Sequence, residues 1–308
     1  MKRRDFIQML AVAGVSTVLA EKSMYAAALA NKESQKAFKS NAGFTAWQLP
    51  IQLDTIGNSY VFLTRSGKVI VMDGGYPKEA PYLRGFLSAL GGKVDAWFIS
   101  HPHSDHMGVL SEVLKDLKGL EIKHIYHSSV SAPIIDLDSE SNYCKKTYKR
   151  MAESGIPVTD IQEPGVEYDF GGMKIKVLGV ANNEIRKNAY NNSSMILRVW
   201  DKKKSMVFLG DAGIECGDKV LNGPYRNLLD CDYLQVAHHG QNGCSEQFYK
   251  SIKFKACLWP TPTWVWNNDR GEGINTGPLK TFDTRRWMDE IGITEHHVSC
   301  LEGVWRLG

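Results

Sequence analysis

Ser100-His101-Pro102-His103-Ser104-Asp105-His106 places three imidazoles and a carboxylate within six consecutive positions, directly after the apolar stretch Val94-Asp95-Ala96-Trp97-Phe98-Ile99. Histidine is the commonest protein metal ligand, and a neighbouring carboxylate suits a borderline cation such as zinc. Ionisable groups at the end of a buried strand are costly to desolvate unless something offsets that cost, and a metal ion does. This run points to metal-dependent hydrolytic chemistry.

Three further segments join it: Asp73-Gly74-Gly75, Leu209-Gly210-Asp211 and His238-His239-Gly240. Each ends or follows a strand-like stretch, so all can meet on one rim. His101 and His103 are two apart on extended backbone and can face one ion. Asp105 and His106 fall where the chain turns into a helix and can face a second. Asp211 follows small Gly210 and can bridge the pair. One histidine of His238-His239 completes the second site, His239 being preferred because it precedes the glycine; the other packs, binds substrate phosphate or donates a proton. Two cations roughly 3.5–4 Å apart clamp a nucleophile and a substrate oxygen and lower the pKa of bound water. Asp73 reads as an outer carboxylate that orients a ligand imidazole through its other nitrogen.

The rest of the chain alternates strands and helices. Strands are predicted at 44–49, 59–65, 68–72, 95–100, 122–127, 166–170, 173–178, 194–200, 205–209, 232–237 and 256–259, and 295–306 closes the chain as strand or hairpin. Helices are predicted at 78–90, 107–117, 139–154, 246–252 and 278–291. Two groups of mixed strands with helices following imply an α/β fold, an αββα sandwich with helices on the outer faces. Lys202, Lys203 and Lys204 read as a solvated hairpin turn, and Cys257 and Cys300 as small buried residues. His124, His296 and His297 read as structural or exposed. The loop from Trp259 to Asn268, rich in Pro and Trp, is expected either to wall the pocket or to pack on outer helices.

At 308 residues the chain suffices for one large domain. Arg3-Arg4-Asp5-Phe6-Ile7 resembles a twin-arginine motif, and Phe6 to Ala20 is apolar over about 15 residues, too short to span a bilayer. Ala28-Leu29-Ala30 offers a cleavage site. The division expected is an export signal at 1–30, a mature extension at 31–43 and a hydrolase domain at 44–308, with a periplasmic or cell-surface location and no transmembrane segment in the mature chain. The formal net charge is +3; residues 1–30 carry four basic and two acidic side chains, so the remainder stands at +1. Near-neutrality gives no case for nucleic acid as partner. The six cysteines show no CxxC spacing, which argues against a structural zinc ribbon. Self-association is not legible.

In this order, Asp-Gly-Gly, HxHxDH, Gly-Asp and His-His-Gly, the motifs resemble the metallo-β-lactamase superfamily over residues 44–308. Asn191-Asn192-Ser193-Ser194-Met195-Ile196-Leu197, with the Gly-Asp and His-His-Gly segments, is similar to the hydrolase domain of DNA-uptake competence proteins and to cell-surface phosphorylcholine esterases. The resemblance implies a site for two divalent metal ions, zinc first with manganese or iron as alternatives. Its metal ligands are then His101, His103, Asp105, His106, Asp211 and His239 or His238, with Asp73, Asn191, Asn192, Ser194 and His127 around them or on the substrate. Many family members carry a further histidine between HxHxDH and the bridging aspartate. Here Asn191 to Ser194 stand instead, as in the competence-like branch, which predicts a weaker or more open first site. His127 reads as a surface or pocket histidine, with ligation as the alternative. The expected activity is attack by a metal-bound hydroxide on a small-molecule or cell-surface phosphoester, a phosphodiester above all, with Asp105 and Asp211 catalytic. Hydrolysis of a carboxylic ester, lactone or β-lactam is the alternative, and a non-catalytic metal-binding module a third. Against β-lactams stands Asp211, where the branch with that activity usually has cysteine or another residue.

Overall fold

The computed structural model describes residues 43–53 and 55–308. The expected export signal, residues 1–30, and the expected extension at 31–43, apart from residue 43, lie outside them. Among the described residues, no helix is long and apolar enough to cross a membrane.

Strand periodicity builds three layers of core. In the first sheet Trp47, Val61, Leu63, Val71 and Trp97 point one way, while Phe44, Ala46, Tyr60, Phe62, Ile70, Met72 and Phe98 point the other. The first set packs on the helices Ala80–Ala89, Ser104–Val113 and Ser141–Glu153 through residues such as Leu83, Leu110 and Met151. The second set meets Ile175, Val177, Leu197, Val199, Met206, Phe208 and Leu258 of the second sheet. That sheet's opposite face, with Ile196, Val207, Leu234, Cys257 and Trp259, packs on Cys216, Val220, Phe248 and Met288 of three more helices. Strands apolar on both faces are buried on both faces. The result is the helix–sheet–sheet–helix sandwich.

Each sheet has seven strands. Across the first run Trp305–Leu307, Phe44–Gln48, Ser59–Thr64, Val69–Asp73, Ala96–Phe98, Ile125–His127 and Val158–Asp160. Across the second run Glu295–Val298, Ala256–Trp259, Tyr233–Gln235, Ser205–Phe208, Ile196–Trp200, Lys174–Gly179 and Glu167–Asp169. The central pairs Val69–Asp73 with Ala96–Phe98, and Ser205–Phe208 with Tyr233–Gln235, are parallel, so the loops carrying the four motifs leave on one rim.

Several expectations need correction. The C-terminal stretch is not a hairpin: Glu295–Val298 lies in the second sheet, Ser299–Glu302 makes a helical turn, and Trp305–Leu307 crosses to pair with Phe44–Gln48 in the first. Cys300 sits on that turn and is half-buried, not in a strand. The stretch 122–127 divides: Glu121–Ile122 pairs with Lys93–Val94 in a separate small sheet. A helix at Ile214–Leu221 was not expected. Lys204 is not a solvated turn residue, since its Nζ donates to the Phe44 carbonyl at 2.6 Å.

Candidate metal centre

The helix Ser104–Val113 begins directly after His103, so its first turn carries Asp105 and His106. Asp105 Oδ2 lies 3.7 Å from His106 Nε2 and 3.0 Å from His239 Nε2. Asp211 reaches the same place: Oδ1 is 3.0 Å from His106 Nε2, and Oδ2 is 3.4 Å from His239 Nε2. One ligand atom from each of Asp105, His106, Asp211 and His239 lies within 4.8 Å of the others, and the same holds for His101, His103 and Asp211. Asp211 is common to both groups.

The surrounding hydrogen bonds set the direction of each ring. Asp73 Oδ2 accepts from His106 Nδ1 at 2.8 Å, and the Pro260 carbonyl accepts from His239 Nδ1 at 2.8 Å. In both rings the proton on Nδ1 is held outward and Nε2 faces the centre, where a bound cation would take the place of the Nε2 proton. His103 is turned the other way: Nε2 faces Asp138, and Nδ1 lies 3.0 Å from His101 Nε2. Backbone conformation contributes as well. Asp73, His238 and His239 all have φ between 52° and 58°, the left-handed region that costs a non-glycine residue energy and clusters at functional sites. Gly210 has φ +54°, and a Cβ there would sit 2.9 Å from Ser194 Oγ and 3.0 Å from Ser100 Cβ, so only glycine lets Asp211 approach this closely.

The donor set fits divalent cations. His106 Nε2 and Asp211 Oδ1 are both buried, and although 3.0 Å apart they are not aligned to hydrogen-bond each other. They converge on a shared point instead. Burial alone would raise the Asp105 and Asp211 carboxyls; the charge of His106 beside them, with His239, outweighs it and holds both below the usual carboxylate range. Burial opposes charge on His106 and His239 too, but the Asp211 carboxylate pushes His106 well up and His239 to about 9. His101 goes down, by burial first and by His106 second. Two buried carboxylates thus draw positive charge to the middle of the cluster.

The other candidates are placed as follows. His238 stands at the margin, Nε2 3.7 Å from Asp211 Oδ2 and 3.4 Å from Asn191 Nδ2. Asn191 Oδ1 is buried with no partner. Ser194 Oγ accepts the Asp211 N–H at 2.9 Å. Asn192 points away, its Oδ1 accepting the Cys216 N–H at 3.0 Å in the helix Ile214–Leu221. His127 enters neither ligand group; its ring packs edge-on to Tyr148 and its Nδ1 is buried without a partner. Of the loop tryptophans, Trp259 and Trp266 pack together, while Trp264 Nε1 donates to the Thr55 carbonyl at 3.3 Å. Sequence reasoning passed over Asp138 and Glu140. Glu140 accepts from the Ser104 N–H at 2.6 Å and its hydroxyl at 2.8 Å, fixing the start of the ligand-bearing helix.

This fold and this cluster define a metallohydrolase centre, and the comparisons agree. The sequence model of the metallo-beta-lactamase superfamily matches residues 53–242, and the chain belongs to that superfamily. By that membership it is a metal-dependent hydrolase. No curated protein sequence matches it. Among solved structures it is similar to the metallo-beta-lactamase fold protein YhfI from Bacillus subtilis, at 13% identity and TM-score 0.51, covering 86% of this chain and 100% of that one. Unliganded yeast PDE1 gives 9% identity and TM-score 0.52, covering 86% and 99%. CmlA, a diiron beta-hydroxylase from Streptomyces venezuelae, gives 12% identity and TM-score 0.51 over 87% of this chain, which spans 54% of that protein. These likenesses show the fold.

Proposed function

We propose that this chain is an exported hydrolase of phosphoesters, phosphodiesters above all, working with two divalent cations at the centre described. Asp211 carries the reading: one buried carboxylate belongs to two separate ligand groups. His101, His103 and Asp211 would hold the first cation, and Asp105, His106, Asp211 and His239 the second. When bound, two such cations acidify a water and offset charge on substrate oxygens. The residues themselves supply the rest. Asp73 and the Pro260 carbonyl fix the tautomers of His106 and His239. Asp105 is the proton acceptor beside His239. His238, at the margin next to Asp211, would stand beside the substrate, its Nε2 held by Asn191 Nδ2.

The preference for phosphoesters rests on the resemblance of Asn191 to Leu197 and of the His-His-Gly segment to competence-type hydrolase domains and phosphorylcholine esterases. It rests also on aspartate at 211. Zinc is the first choice of metal for a set of imidazoles and carboxylates; manganese and iron are alternatives, and one fold relative is a diiron protein. Export to the periplasm or cell surface follows from Arg3-Arg4 and the apolar stretch after it, and a small-molecule or cell-surface phosphoester is the corresponding substrate.

The test is metal quantification on the purified protein, coupled to a panel of phosphodiesters, phosphomonoesters, lactones and nitrocefin. Two metal ions per chain with turnover of phosphodiesters, abolished in Asp211→Asn, is the expected result. Rapid nitrocefin or lactone turnover without phosphodiester activity overturns the substrate class. One ion or none, with no hydrolysis, favours a binding module. Retention in the cytoplasm of a tagged full-length chain would remove the export reading.

A further inference from the structure

The rim that carries the metal centre also carries a cavity of about 610 Å³. Phe44–Gln48 runs antiparallel to Ser59–Thr64, which is antiparallel to Val69–Asp73, so its end shares a rim with Asp73. Ala256–Trp259 and Glu295–Val298 run parallel to Tyr233–Gln235, whose end leads to His238 and His239. The cavity lies among these ends: Gln52 follows the first strand, Thr263 the second and Ser299 the third. Two strand spacings separate Phe44–Gln48 from Val69–Asp73, about 10 Å. Thr261 joins cavity and centre, since its Oγ1 donates to the His239 carbonyl at 2.6 Å and its N–H donates to Ser299 Oγ at 3.0 Å.

The lining has a definite chemistry. Among the described residues no charged side chain faces the cavity; Gln52, Tyr82 and Thr263 supply hydroxyl and amide groups, Ser299 Oγ is engaged with the Thr261 backbone, and Leu53 and Val304, each 46% exposed, stand at its wall. Glu79, on the neighbouring wall, is already engaged, accepting the N–H groups of Gln52 and Leu53 at 3.0 and 3.1 Å. Among the described residues a charged ligand would find no counter-ion here. A pure hydrocarbon would strip water from the hydroxyls and return no hydrogen bond. The volume falls within the range of about 300–1,000 Å³ usual for small-molecule sites.

We propose that this cavity is the subsite for an uncharged, hydroxyl-bearing substituent of the substrate, a sugar or polyol group carried on one ester oxygen. The proposal rests on the phosphoester reading for that oxygen, but not for the cavity's own ligand. Two measurements separate them. Val304→Trp and Leu53→Trp fill the cavity from its exposed wall. With bis(4-nitrophenyl) phosphate and a 4-nitrophenyl phosphodiester of methyl glucoside as paired substrates, the ratio of kcat/KM favouring the sugar ester should fall at least about tenfold in each variant, through KM. An unchanged ratio overturns the subsite. Saturation-transfer NMR on chelator-treated protein reads the cavity without turnover, using methyl glucoside, choline and inorganic phosphate as probes. Signal from methyl glucoside, lost in Val304→Trp, supports the proposal. Signal from choline or phosphate instead, no glucoside signal, or a glucoside signal that survives both variants overturns it. If neither ester is hydrolysed, the phosphoester reading falls and the NMR result alone decides the cavity.

Discussion

Asp138 Oδ2 lies 3.2 Å from His103 Nε2, on the side of the ring facing away from His101. The carboxylate accepts a hydrogen bond from Nε2–H and leaves the Nδ1 lone pair toward the first ligand group. Asp138 is itself held, its Oδ1 accepting the Glu140 N–H at 2.9 Å. In the first group, His103 is one of three ligands, with His101 and Asp211. If the two-cation proposal holds, Asp138→Ala should therefore weaken zinc binding at one of the two sites by about 10–100-fold, the cost typical of losing such an outer partner. Asp138→Asn, which keeps an acceptor, should recover part of it. Zinc titration against a competing chelator reads both; two unaltered affinities in the alanine variant would remove Asp138 from the account.

Asp73 gathers four donors: Asn58 Nδ2 at 2.7 Å, the Ser100 N–H at 2.7 Å, Ser100 Oγ at 2.9 Å and His106 Nδ1 at 2.8 Å. Asparagine tolerates the left-handed backbone of this position, so Asp73→Asn isolates the hydrogen bonds. An amide presents only one acceptor oxygen, and some of these buried donors must go unpaired at about 1–3 kcal/mol. The variant should melt lower and bind added zinc less tightly at the proposed second site. Urea unfolding with the metal removed separates the two effects; an unchanged midpoint there would contradict the argument.

The parts legible in sequence are those set by local chemistry. The unbroken apolar runs in 59–65 and 68–72 mark strands buried on both faces, and the side-chain period of two then assigns alternate residues to the helices and to the second sheet. HxHxDH announces itself because its residues are adjacent. Asp138 and Glu140 do not, since they meet His103 and Ser104 only after a chain excursion of some 35 residues closes on itself. The helix Ile214–Leu221 was hidden for a similar reason: Gly217 lies within it, where a Cβ would come 2.8 Å from Cys244 Sγ, so packing rather than propensity makes the helix. Asn192, grouped with substrate-facing residues by sequence, is engaged with that same helix. The C-terminal stretch reads as continuous, yet Gly303 at φ +72° turns it from one sheet to the other.

Gly210 tests how closely Asp211 must approach. Alanine there would occupy the left-handed region at roughly 1–2 kcal/mol and press on Ser194, whose hydroxyl receives the Asp211 N–H. Gly210→Ala should lower the melting temperature and weaken binding of added zinc at both proposed sites together, since Asp211 belongs to both ligand groups. Differential scanning calorimetry with and without added zinc gives the two quantities. Loss of only one ion would mean that Asp211 is not shared.

Lys204 gives a pH dependence remote from the metal centre. Its Nζ sits 4.5 Å from the centre of the Phe44 ring, and burial pushes the amine down to about 8, against the pull of Asp201. In the unfolded chain a lysine titrates at about 10.4. Between those values the unfolded chain binds more protons than the folded one, so this group makes stability rise with pH across that window. Below about pH 8 both states carry the charge, and the folded state bears the full cost of burying it. Lys204→Met removes the charge and the slope. Urea unfolding of both proteins at pH 7, 8.5 and 10 should show the wild type gaining on the variant as pH rises. A constant difference between them would place the Lys204 amine at its ordinary value and undo the argument from burial.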